Sequence, residues 1–310
     1  MSKRILITPR SLTQHHSPDL QALENAGYEL VYVRPGITPT EEELLELVPN
    51  CVGWLAGVEP ISERVLRAAT NLKVISRNGT GVDNIPLNLA QELRIKVLRV
   101  EAANARGVAE LAICLALAAL RHLPALHCAL KQGKWKLIRG SEIRGRLFGL
   151  VGCGAVGKIV ARLALGLDAR VAAFDLCPDR SFKPGEDFSW MSLEEVLAMA
   201  DILSLHCPPL PAGRPLIDRK ALSSLKDGSC LVNTARGTLI DESALTEALD
   251  SGKLSAYATD VFQTEPPDPG SPLLRHQRVI VSPHIGAYTE ESIQRATRKA
   301  VENLLSAFDS

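Results

Sequence analysis

Short apolar runs alternate with longer amphipathic segments along the chain. In the first hundred residues the segments at 17–27, 38–48 and 61–70 have helical spacing and helix-start residues. The runs rich in β-branched and aliphatic residues are RILIT (4–8), ELVYV (29–33), CVGWLAG (51–57) and LKVIS (72–76). Strands that alternate with helices in this way predict a parallel sheet covered by helices.

A second series of the same kind begins near residue 146. It follows an apolar helix predicted at 105–121 and a polar connection at 131–145. The predicted strands of this series are RLFGLVG (146–152), RVAAFD (170–175), DILSLH (201–206), SCLVNT (229–234), AYATDV (256–261) and RVIVSPH (278–284). A last helix is predicted at about 290–308. Because the helix at 105–121 is apolar on nearly every face, we expect it to be buried between domains or between subunits.

Length, charge and cysteine usage narrow the class of protein. A chain of 310 residues is near the size at which one core stops growing, so two domains are expected. Thirty-five basic residues balance thirty-five acidic ones, which gives no electrostatic footprint for nucleic acid or for an anionic membrane. The most apolar stretch, 111–120, is about half of a membrane span. The seven scattered cysteines contain no Cys-x-x-Cys pair, so we expect reduced, mostly buried thiols in a cytoplasmic protein.

The run Gly152-Cys153-Gly154-Ala155-Val156-Gly157 is typical of a nucleotide-binding turn. The first glycine permits a tight strand-to-helix turn, the second lets a pyrophosphate approach the backbone, and the third lets helix and strand pack closely. A glycine-rich turn alone is weak evidence, because it also occurs as a purely structural turn. Here a predicted strand precedes it, a helix follows, and the next strand ends in Asp175. A carboxylate there binds both ribose hydroxyls and repels a 2′-phosphate, which favours NAD over NADP.

Three ionisable residues follow the ends of later predicted strands, where open α/β sheets bind ligands. They are Arg236, Glu265 and His284. Each alone has a structural explanation, as a surface cation, a loop charge or a half-buried histidine. Together they are the groups that hydride exchange at a 2-hydroxy acid needs. An arginine fork holds a carboxylate or a keto oxygen, a histidine exchanges a proton with the hydroxyl, and a carboxylate orients the imidazole and stabilises its protonated form.

The chain resembles the D-isomer-specific 2-hydroxyacid dehydrogenase family, and within it the phosphoglycerate-dehydrogenase-like branch. Seven motifs carry this resemblance, in the order and spacing of the family. They are SRNGTGVDNIPL (76–87), ANARGVAELA (103–112), GLVGCGAVGK (149–158), HCPPL (206–210), LVNTARGTLIDESAL (231–245), ATDVFQTEPP (258–267) and VSPHIGAYTEES (281–292). The resemblance covers nearly the whole chain, and seven ordered motifs make it highly specific.

The resemblance implies roles for individual residues. Arg236, Glu265 and His284 match the catalytic set of the family, and Arg77, Asn78 and Gly79 match the loop that holds the substrate carboxylate. The positions expected to bind the cofactor are Val108, Gly152, Gly154, Ala155, Val156, Gly157, Asp175, His206, Cys207, Pro208, Thr234, Ala235, Arg236, Asp260, His284, Gly286 and Ala287. No metal site is expected.

The family also implies an architecture of two doubly wound parallel-sheet domains. A Rossmann-type NAD domain, at 99–285, is inserted into a discontinuous flavodoxin-like substrate domain, at 1–98 and 286–310. The apolar helix near 105 then becomes part of a homodimer interface. The expected partners are a small 2-hydroxy or 2-keto acid and a second copy of the chain, without nucleic acid or membrane.

The expected activity is NAD-dependent hydride transfer to or from a small D-2-hydroxy acid. Phosphoglycerate dehydrogenases use extra arginines for the substrate phosphate, whereas here Gly57 or Val58 and Leu137 stand at two of the expected positions. Lys136 and Arg139 lie close enough to compensate. An NAD-sensing binding protein like the corepressors of the family is the alternative from another class. A relative that oxidises formate or phosphite is a further enzyme alternative.

Overall fold

The computed structural model describes residues 3–15 and 17–308. The chain forms two compact units. The first unit contains the residues up to Asn104 and from Tyr288 onward, and the second unit is Ala105–Ala287. These limits lie a few residues from the domain boundaries expected at 98/99 and 285/286.

The elements alternate between strand and helix in both units. The strands are β1 (Arg4–Ile7), β2 (Glu29–Tyr32), β3 (Gly53–Ala56), β4 (Val74–Arg77), β5 (Lys96–Arg99), β6 (Leu147–Val151), β7 (Arg170–Phe174), β8 (Phe188–Trp190), β9 (Ile202–Leu205), β10 (Ser229–Asn233), β11 (Leu254–Thr259) and β12 (Val279–Val281). The α-helices are α1 (Arg10–Gln14), α2 (Gln21–Asn25), α3 (Glu41–Leu47), α4 (Glu63–Ala68), α5 (Leu87–Glu92), α6 (Ala105–Leu120), α7 (Leu123–Lys131), α8 (Ala155–Leu165), α9 (Leu193–Met199), α10 (Arg219–Ser224), α11 (Glu242–Asp250), α12 (Pro272–Arg275) and α13 (Glu290–Phe308).

The first unit is built on a five-stranded parallel sheet with the order β2-β1-β3-β4-β5. This is the flavodoxin-like order, whose topological switch point lies between β1 and β3. Helix α13, from the end of the chain, packs against this sheet, and the Ser76 hydroxyl donates a hydrogen bond to the Ala300 carbonyl at 2.9 Å. The first unit is therefore completed by residues far apart in sequence.

The second unit is built on a seven-stranded parallel sheet with the order β12-β11-β10-β9-β6-β7-β8. Six of these strands follow the Rossmann order, with β12 added at the edge beside β11. The switch point of this sheet lies between β6 and β9. The fold class expected from the sequence, two parallel sheets with covering helices, is confirmed.

Helix α6 is buried mainly by its own unit, which corrects the expectation that a neighbouring domain covers it. Its small and aliphatic residues pack into the core of the second unit, against α8 and the sheet. The remaining stripe, Arg106, Glu110 and Cys114, is exposed, and the first two side chains form an ion pair. A helix that is apolar all round must be covered, but its sequence does not say by which element.

Helix α7 and the segment after it have the opposite character. No residue of α7 is buried, and Trp135 and Leu137 are 82% and 84% exposed.

Among the described residues no single helix is long and apolar enough to cross a membrane. Helices α6 and α7 together pass that test by length and composition only, and they are bent by 64° at the break between them.

All seven cysteines are free thiols. Cys51, Cys153 and Cys230 are buried as expected, and burial raises the pKa of Cys153 to about 12. The cysteines at 114, 128 and 177 are exposed, so the expectation of mostly buried thiols holds for only part of the set.

Candidate active site

The glycine-rich turn connects β6 to α8 at the carboxyl edge of the larger sheet. Gly152 has a φ of +94°, and a Cβ there would lie 2.6–2.7 Å from the backbone of His206 and Cys207. A Cβ on Gly157 would overlap the carbonyl oxygen of Gly152. Both glycines are therefore required by the packing of the turn itself.

Gly154 differs from the other two glycines of the turn. A Cβ there would meet nothing within 4 Å, and its φ of −77° causes no strain for other residues. Gly154 is the N-cap residue of α8, where free N–H groups and the positive end of the helix dipole favour an anion. The space left open at Gly154 therefore fits a phosphate group of a bound dinucleotide.

Asp175 follows β7 and lines a cavity of about 380 Å³. Its two carboxylate oxygens accept hydrogen bonds from the amides of Cys153 and Cys177, at 2.7 and 2.9 Å. A carboxylate has further lone pairs, so these bonds orient Asp175 and leave capacity for ribose hydroxyls. The other residues of the cavity are Phe174, Pro178, Arg180, Trp190, Met191, Ser192 and Glu195. Sequence reasoning missed Arg180 and Trp190, which follow no regular spacing from the turn.

The ends of β9 and β10 place further predicted cofactor residues at the same edge. His206 is 2.9 Å from the Ser204 hydroxyl through Nε2, and burial lowers the pKa of its imidazole to about 3, so the ring is neutral. Burial likewise raises the pKa of the Cys207 thiol to about 11. The buried hydroxyl of Thr234 has no hydrogen-bond partner within the residues that the structure describes. A buried hydroxyl without a partner is unusual in a folded protein, and this one lies at the edge where the cofactor is expected.

Asn233 braces the loop that carries Arg236. Its side-chain oxygen accepts a hydrogen bond from the Ala235 amide at 3.0 Å, and its side-chain amide donates to the Arg236 carbonyl at 2.9 Å. The guanidinium of Arg236 donates through Nη1 to the Ala235 carbonyl at 2.7 Å. Asn233 is fully buried and was not singled out from the sequence, where it is one polar residue in the run LVNTA.

Gly237 brings the Arg236 loop against the loop that carries Glu265. A Cβ at Gly237 would overlap the backbone of Phe262 and Gln263, so only glycine permits this approach. The Phe262 amide in turn donates to Oε1 of Glu265 at 3.0 Å. The positions of Arg236 and Glu265 are thus coupled through a backbone contact that the sequence does not reveal.

His284 and Glu265 form a hydrogen-bonded pair. Nδ1 of His284 lies 2.6 Å from Oε2 of Glu265, and both side chains are about one-third exposed. Burial acts to raise the pKa of Glu265, but the hydrogen bond and charge of His284, the Phe262 amide and the charge of Arg236 outweigh it and hold the pKa below its ordinary value. The three predicted catalytic residues are therefore brought together, and Nε2 of His284 has no hydrogen-bond partner in the described part of the chain.

Asp260 holds the loop that carries His284. One carboxylate oxygen accepts from the Ser282 hydroxyl at 2.5 Å and from the Ile285 amide at 2.9 Å, and the other accepts from the Gly286 amide at 2.7 Å. His284 itself has a φ of +54°, a left-handed conformation that costs a non-glycine residue energy and needs such support. Asp260 is 2% exposed, so its structural role is to hold this loop in place.

The remaining predicted cofactor residues lie around these loops. A Cβ on Gly286 would come within 3.5 Å of Val108, at the start of α6, which leaves this corner tightly packed. Ala155 and Pro208 are exposed, and Val156, Ala287 and Cys207 are partly buried. Among residues 3–15 and 17–308, no group of three His, Cys, Asp or Glu side chains could hold a metal ion.

The predicted substrate loop, Arg77-Asn78-Gly79, lies in the first unit at the end of β4. Its amides are used internally, because Asn78 donates to the Ala56 carbonyl and Gly79 to the Arg77 carbonyl, both at 2.8 Å. These two bonds fix the backbone of the loop, and Nη1 of Arg77 donates to the Asn78 carbonyl at 2.7 Å. Gly79 has a φ of +155°, and a Cβ there would lie 2.5 Å from Nη1 of Arg77.

Comparison with known proteins agrees with this geometry. The family model for the D-isomer specific 2-hydroxyacid dehydrogenase, NAD binding domain, matches residues 113–286. The chain belongs to the D-isomer specific 2-hydroxyacid dehydrogenase family. It is an NAD-dependent dehydrogenase of 2-hydroxy acids, as the sequence predicted.

The individual relatives differ in length, and their names refer to different substrates. A hydroxypyruvate reductase of Thermotoga maritima is 38% identical over 269 residues, which are 85% of this chain and 87% of that protein. A D-3-phosphoglycerate dehydrogenase of Mycobacterium bovis is 37% identical over 271 residues, 86% of this chain but only 51% of that protein. The chain therefore spans about half the length of the phosphoglycerate dehydrogenase. The TT0316 protein from Thermus thermophilus superposes with a TM-score of 0.88 at 35% identity, over 99% of this chain and 97% of that one.

Proposed function

We propose that this dehydrogenase reduces small, unphosphorylated 2-keto acids such as glyoxylate or hydroxypyruvate to the D-2-hydroxy acids. The observation that carries the proposal is the pair formed by His284 and Glu265, 2.6 Å apart, beside the charge of Arg236. An imidazole backed by a carboxylate, with its other nitrogen directed away from that carboxylate, is arranged to give a proton to a carbonyl oxygen.

The chain's own residues supply the cofactor site. When bound, NADH supplies the hydride that reduces the keto carbon. Gly154 and the N-terminus of α8 would hold its phosphates, and Asp175 would bind the adenosine ribose hydroxyls. The unpartnered hydroxyl of Thr234 supports a ligand contact at the end of β10. Among the other expected cofactor positions, Asp260 would act through the loop that it anchors.

Each member of the catalytic set has a distinct task. His284 would donate the proton from Nε2 to the carbonyl oxygen, while Glu265 stabilises the protonated imidazole. Arg236 would hold the carboxylate and the carbonyl oxygen of the substrate with its planar fork. For the loop Arg77-Asn78-Gly79 of the first unit, a role in holding the substrate carboxylate is supported by the family resemblance alone.

The preference for an unphosphorylated substrate is supported by the absence of the two arginines noted in the sequence. Val58 and Leu137 are exposed apolar side chains at or beside those positions, Leu137 with 84% of its surface accessible. A lost charge-assisted contact to a phosphate costs on the order of 1.5–3 kcal/mol. The named activity of the Thermotoga maritima relative is consistent with this choice.

We also propose a cytoplasmic homodimer. Four large apolar side chains on α7 and the segment after it are exposed, namely Leu123, Leu130, Trp135 and Leu137. Contiguous exposed apolar side chains mark interaction sites, and we propose that these four form such a surface. The interface would thus centre on this surface, with the exposed stripe of α6 at its margin.

The proposed function is tested by following NADH absorbance with a panel of 2-keto acids. We expect steady turnover with glyoxylate or hydroxypyruvate, and slower turnover with 3-phosphohydroxypyruvate under identical NADH and salt. Tight NADH binding without turnover of any keto acid would favour a cofactor-sensing role instead. A tenfold or greater preference for the phosphorylated substrate would contradict the proposed substrate class.

A further inference from the structure

A charged pair holds the loop that follows Asp175 in the second unit. Nζ of Lys158, on α8, lies 2.6 Å from Oδ2 of Asp179. Pro178 and Arg180, the neighbours of Asp179 in sequence, both line the cavity of about 380 Å³ that contains Asp175. The pair therefore fixes the part of the loop that forms one wall of this cavity.

Hydrogen bonds within the loop orient Asp179 toward the lysine. Its Oδ1 accepts from the amide of Ser181 at 3.0 Å and from the hydroxyl of Ser181 at 2.5 Å. The hydrogen bond from Lys158 and the two from Ser181 lower the pKa of Asp179 to about 2, so the carboxylate is charged throughout the neutral range. The side chains of Lys158 and Asp179 are 30% and 42% exposed, so salt screens their attraction only in part.

Lys158 also contacts an aromatic ring of the same loop. Phe182 is 7% exposed, and Nζ of Lys158 and the guanidinium carbon of Arg162 lie 5.5 and 5.1 Å from its ring centroid. The Phe182 ring meets Phe188 edge to face, and Phe188 meets Trp190 in the same way, with centroids 5.3 and 5.4 Å apart. Trp190 lines the cavity from β8. The lysine is thus connected to the cavity by two routes, through the charged pair and through the three rings.

Lys158 lies one turn into the helix that begins at the glycine-rich turn. Its amide donates to the carbonyl of Gly154, the N-cap residue of α8, at 3.0 Å. Gly154 marks the phosphate position and Asp175 the ribose position of the proposed cofactor site. The charged pair therefore joins the backbone at the first position to the loop at the second.

We propose that Lys158 and Asp179 are positioning residues for the adenosine half of NADH. Their ion pair holds Pro178 and Arg180 where these two residues close the cavity beside Asp175. The inference rests on the proposed function, because it uses the ribose position assigned to Asp175. It concerns the binding of the adenosine half alone, so proton donation and hydride transfer from bound NADH do not depend on the pair.

The test measures the dissociation constant of ADP-ribose, which carries the adenosine half without the nicotinamide, by isothermal titration calorimetry. Asp179→Asn and Lys158→Met each remove one charge and nearly keep the shape of the side chain, and we expect each to raise this dissociation constant about fivefold. The double variant should bind ADP-ribose no more weakly than either single variant, because both substitutions break the same interaction. Lys158→Arg, which keeps the charge, should retain most of the wild-type affinity.

The chain offers a matched control in a second pair of the same kind. Nζ of Lys253 lies 2.7 Å from Oδ1 of Asp227, which precedes β10 at the amino edge of the same sheet. Asp227→Asn breaks that pair and should leave the affinity for ADP-ribose at the wild-type value. In all of these variants kcat at saturating NADH should match that of the wild type, while KM for NADH rises only when the pair of Lys158 and Asp179 is broken.

A second measurement uses the wild type alone. Amide hydrogen exchange of residues 176–182 should slow when ADP-ribose is bound, and it should not slow with nicotinamide mononucleotide, which lacks the adenosine half. Unchanged exchange in this loop, or unchanged ADP-ribose affinity in both single variants, overturns the inference while the proposed function stands. Tighter binding in Asp179→Asn with weaker binding in Lys158→Met also overturns it, because Lys158 would then contact the phosphates directly. A wild type that binds ADP-ribose as expected but reduces no keto acid overturns the proposed function alone.

Discussion

Oε2 of Glu265 lies 2.6 Å from Nδ1 of a histidine, His284, whose own backbone is in the left-handed region at φ +54°. Hydrogen bonds hold both members of the pair. Asp260 accepts from the amides of Ile285 and Gly286, which follow His284, and the Phe262 amide donates to Glu265. Proton donation thus depends on two loops that are each fixed by their own hydrogen bonds.

Replacement of His284 by alanine removes the proton donor. We expect kcat for keto acid reduction to fall about a hundredfold or more, while the dissociation constant of NADH changes little. Stopped-flow measurement of NADH binding checks the dissociation constant, and steady-state turnover of the same preparation checks kcat. His276→Ala, which removes a histidine paired with Asp250 at the end of α12, serves as the control and should leave kcat unchanged.

Replacement of Glu265 by glutamine removes the charge that stabilises the protonated imidazole. The alkaline limb of the pH profile of kcat/KM for reduction should therefore move to lower pH. Because the folded-state pKa of Glu265 lies below its ordinary value, the carboxylate stabilises the fold above that ordinary value and loses this effect as the pH falls through the folded-state pKa. The stability difference between the two proteins should shrink in acid, and a pH profile identical to wild type would argue against the pair.

Replacement of Asp175 by alanine tests the ribose contact. We expect NADH binding to weaken roughly tenfold to a hundredfold, and discrimination against NADPH to relax, since Arg180 lines the same cavity. The exposed Asp187 on the loop that follows is a control for net charge through Asp187→Ala. A wild type that already prefers NADPH would contradict the assignment of Asp175.

The turn glycines should separate folding from cofactor binding. Gly154→Ala places a methyl group where the protein has open space, so the melting temperature should stay near that of the wild type while NADH binding weakens. Gly157→Ala places it against the Gly152 carbonyl and should destabilise the fold itself, by about 1–3 kcal/mol. Equal NADH affinity in Gly154→Ala and wild type would show that no phosphate lies at that position.

Light scattering at micromolar concentration tests the homodimer. We expect a dimer mass for the wild type and a shift toward monomer for Trp135→Ser with Leu137→Ser, which removes two large apolar side chains from the exposed surface. Leu176→Ser is the control, because it removes an apolar side chain that is equally exposed but lies outside α6, α7 and the segment after them. A monomeric wild type would end this proposal.

Much of the architecture was readable from the pattern of the chain. The glycine turn, the strand before it and the carboxylate after the next strand are local in sequence, so the nucleotide-binding turn of the second unit could be predicted from spacing. The three-residue strand β8 could not, because three residues show no alternation. Strand β5 was not predicted either, because KVLR begins and ends in exposed cations at the edge of the sheet.

The site was predictable as a set of residues but not as an arrangement. Arg236, Glu265 and His284 each follow a strand, which is visible in the sequence. Three contacts could not be predicted. Gly237 meets the backbone of 262–263 and Thr8 bonds to Glu59, and both contacts join residues that are distant in the chain. Asn233 holds the Arg236 loop, but in the sequence it is an ordinary polar residue with no motif around it that would single it out. Only the fold brings such partners together, so composition and spacing carry no signal for them.

The hydrogen bond from Ser76 to Ala300 joins residues 224 positions apart, and α13 covers a sheet whose strands are all made before residue 100. At a synthesis rate of about 5–20 residues per second, roughly 10–45 s pass between the synthesis of β5 and that of α13, which completes the core of the first unit. The second unit lies wholly within the interval. The second unit can therefore begin to fold while the first unit still lacks the helix that completes its core.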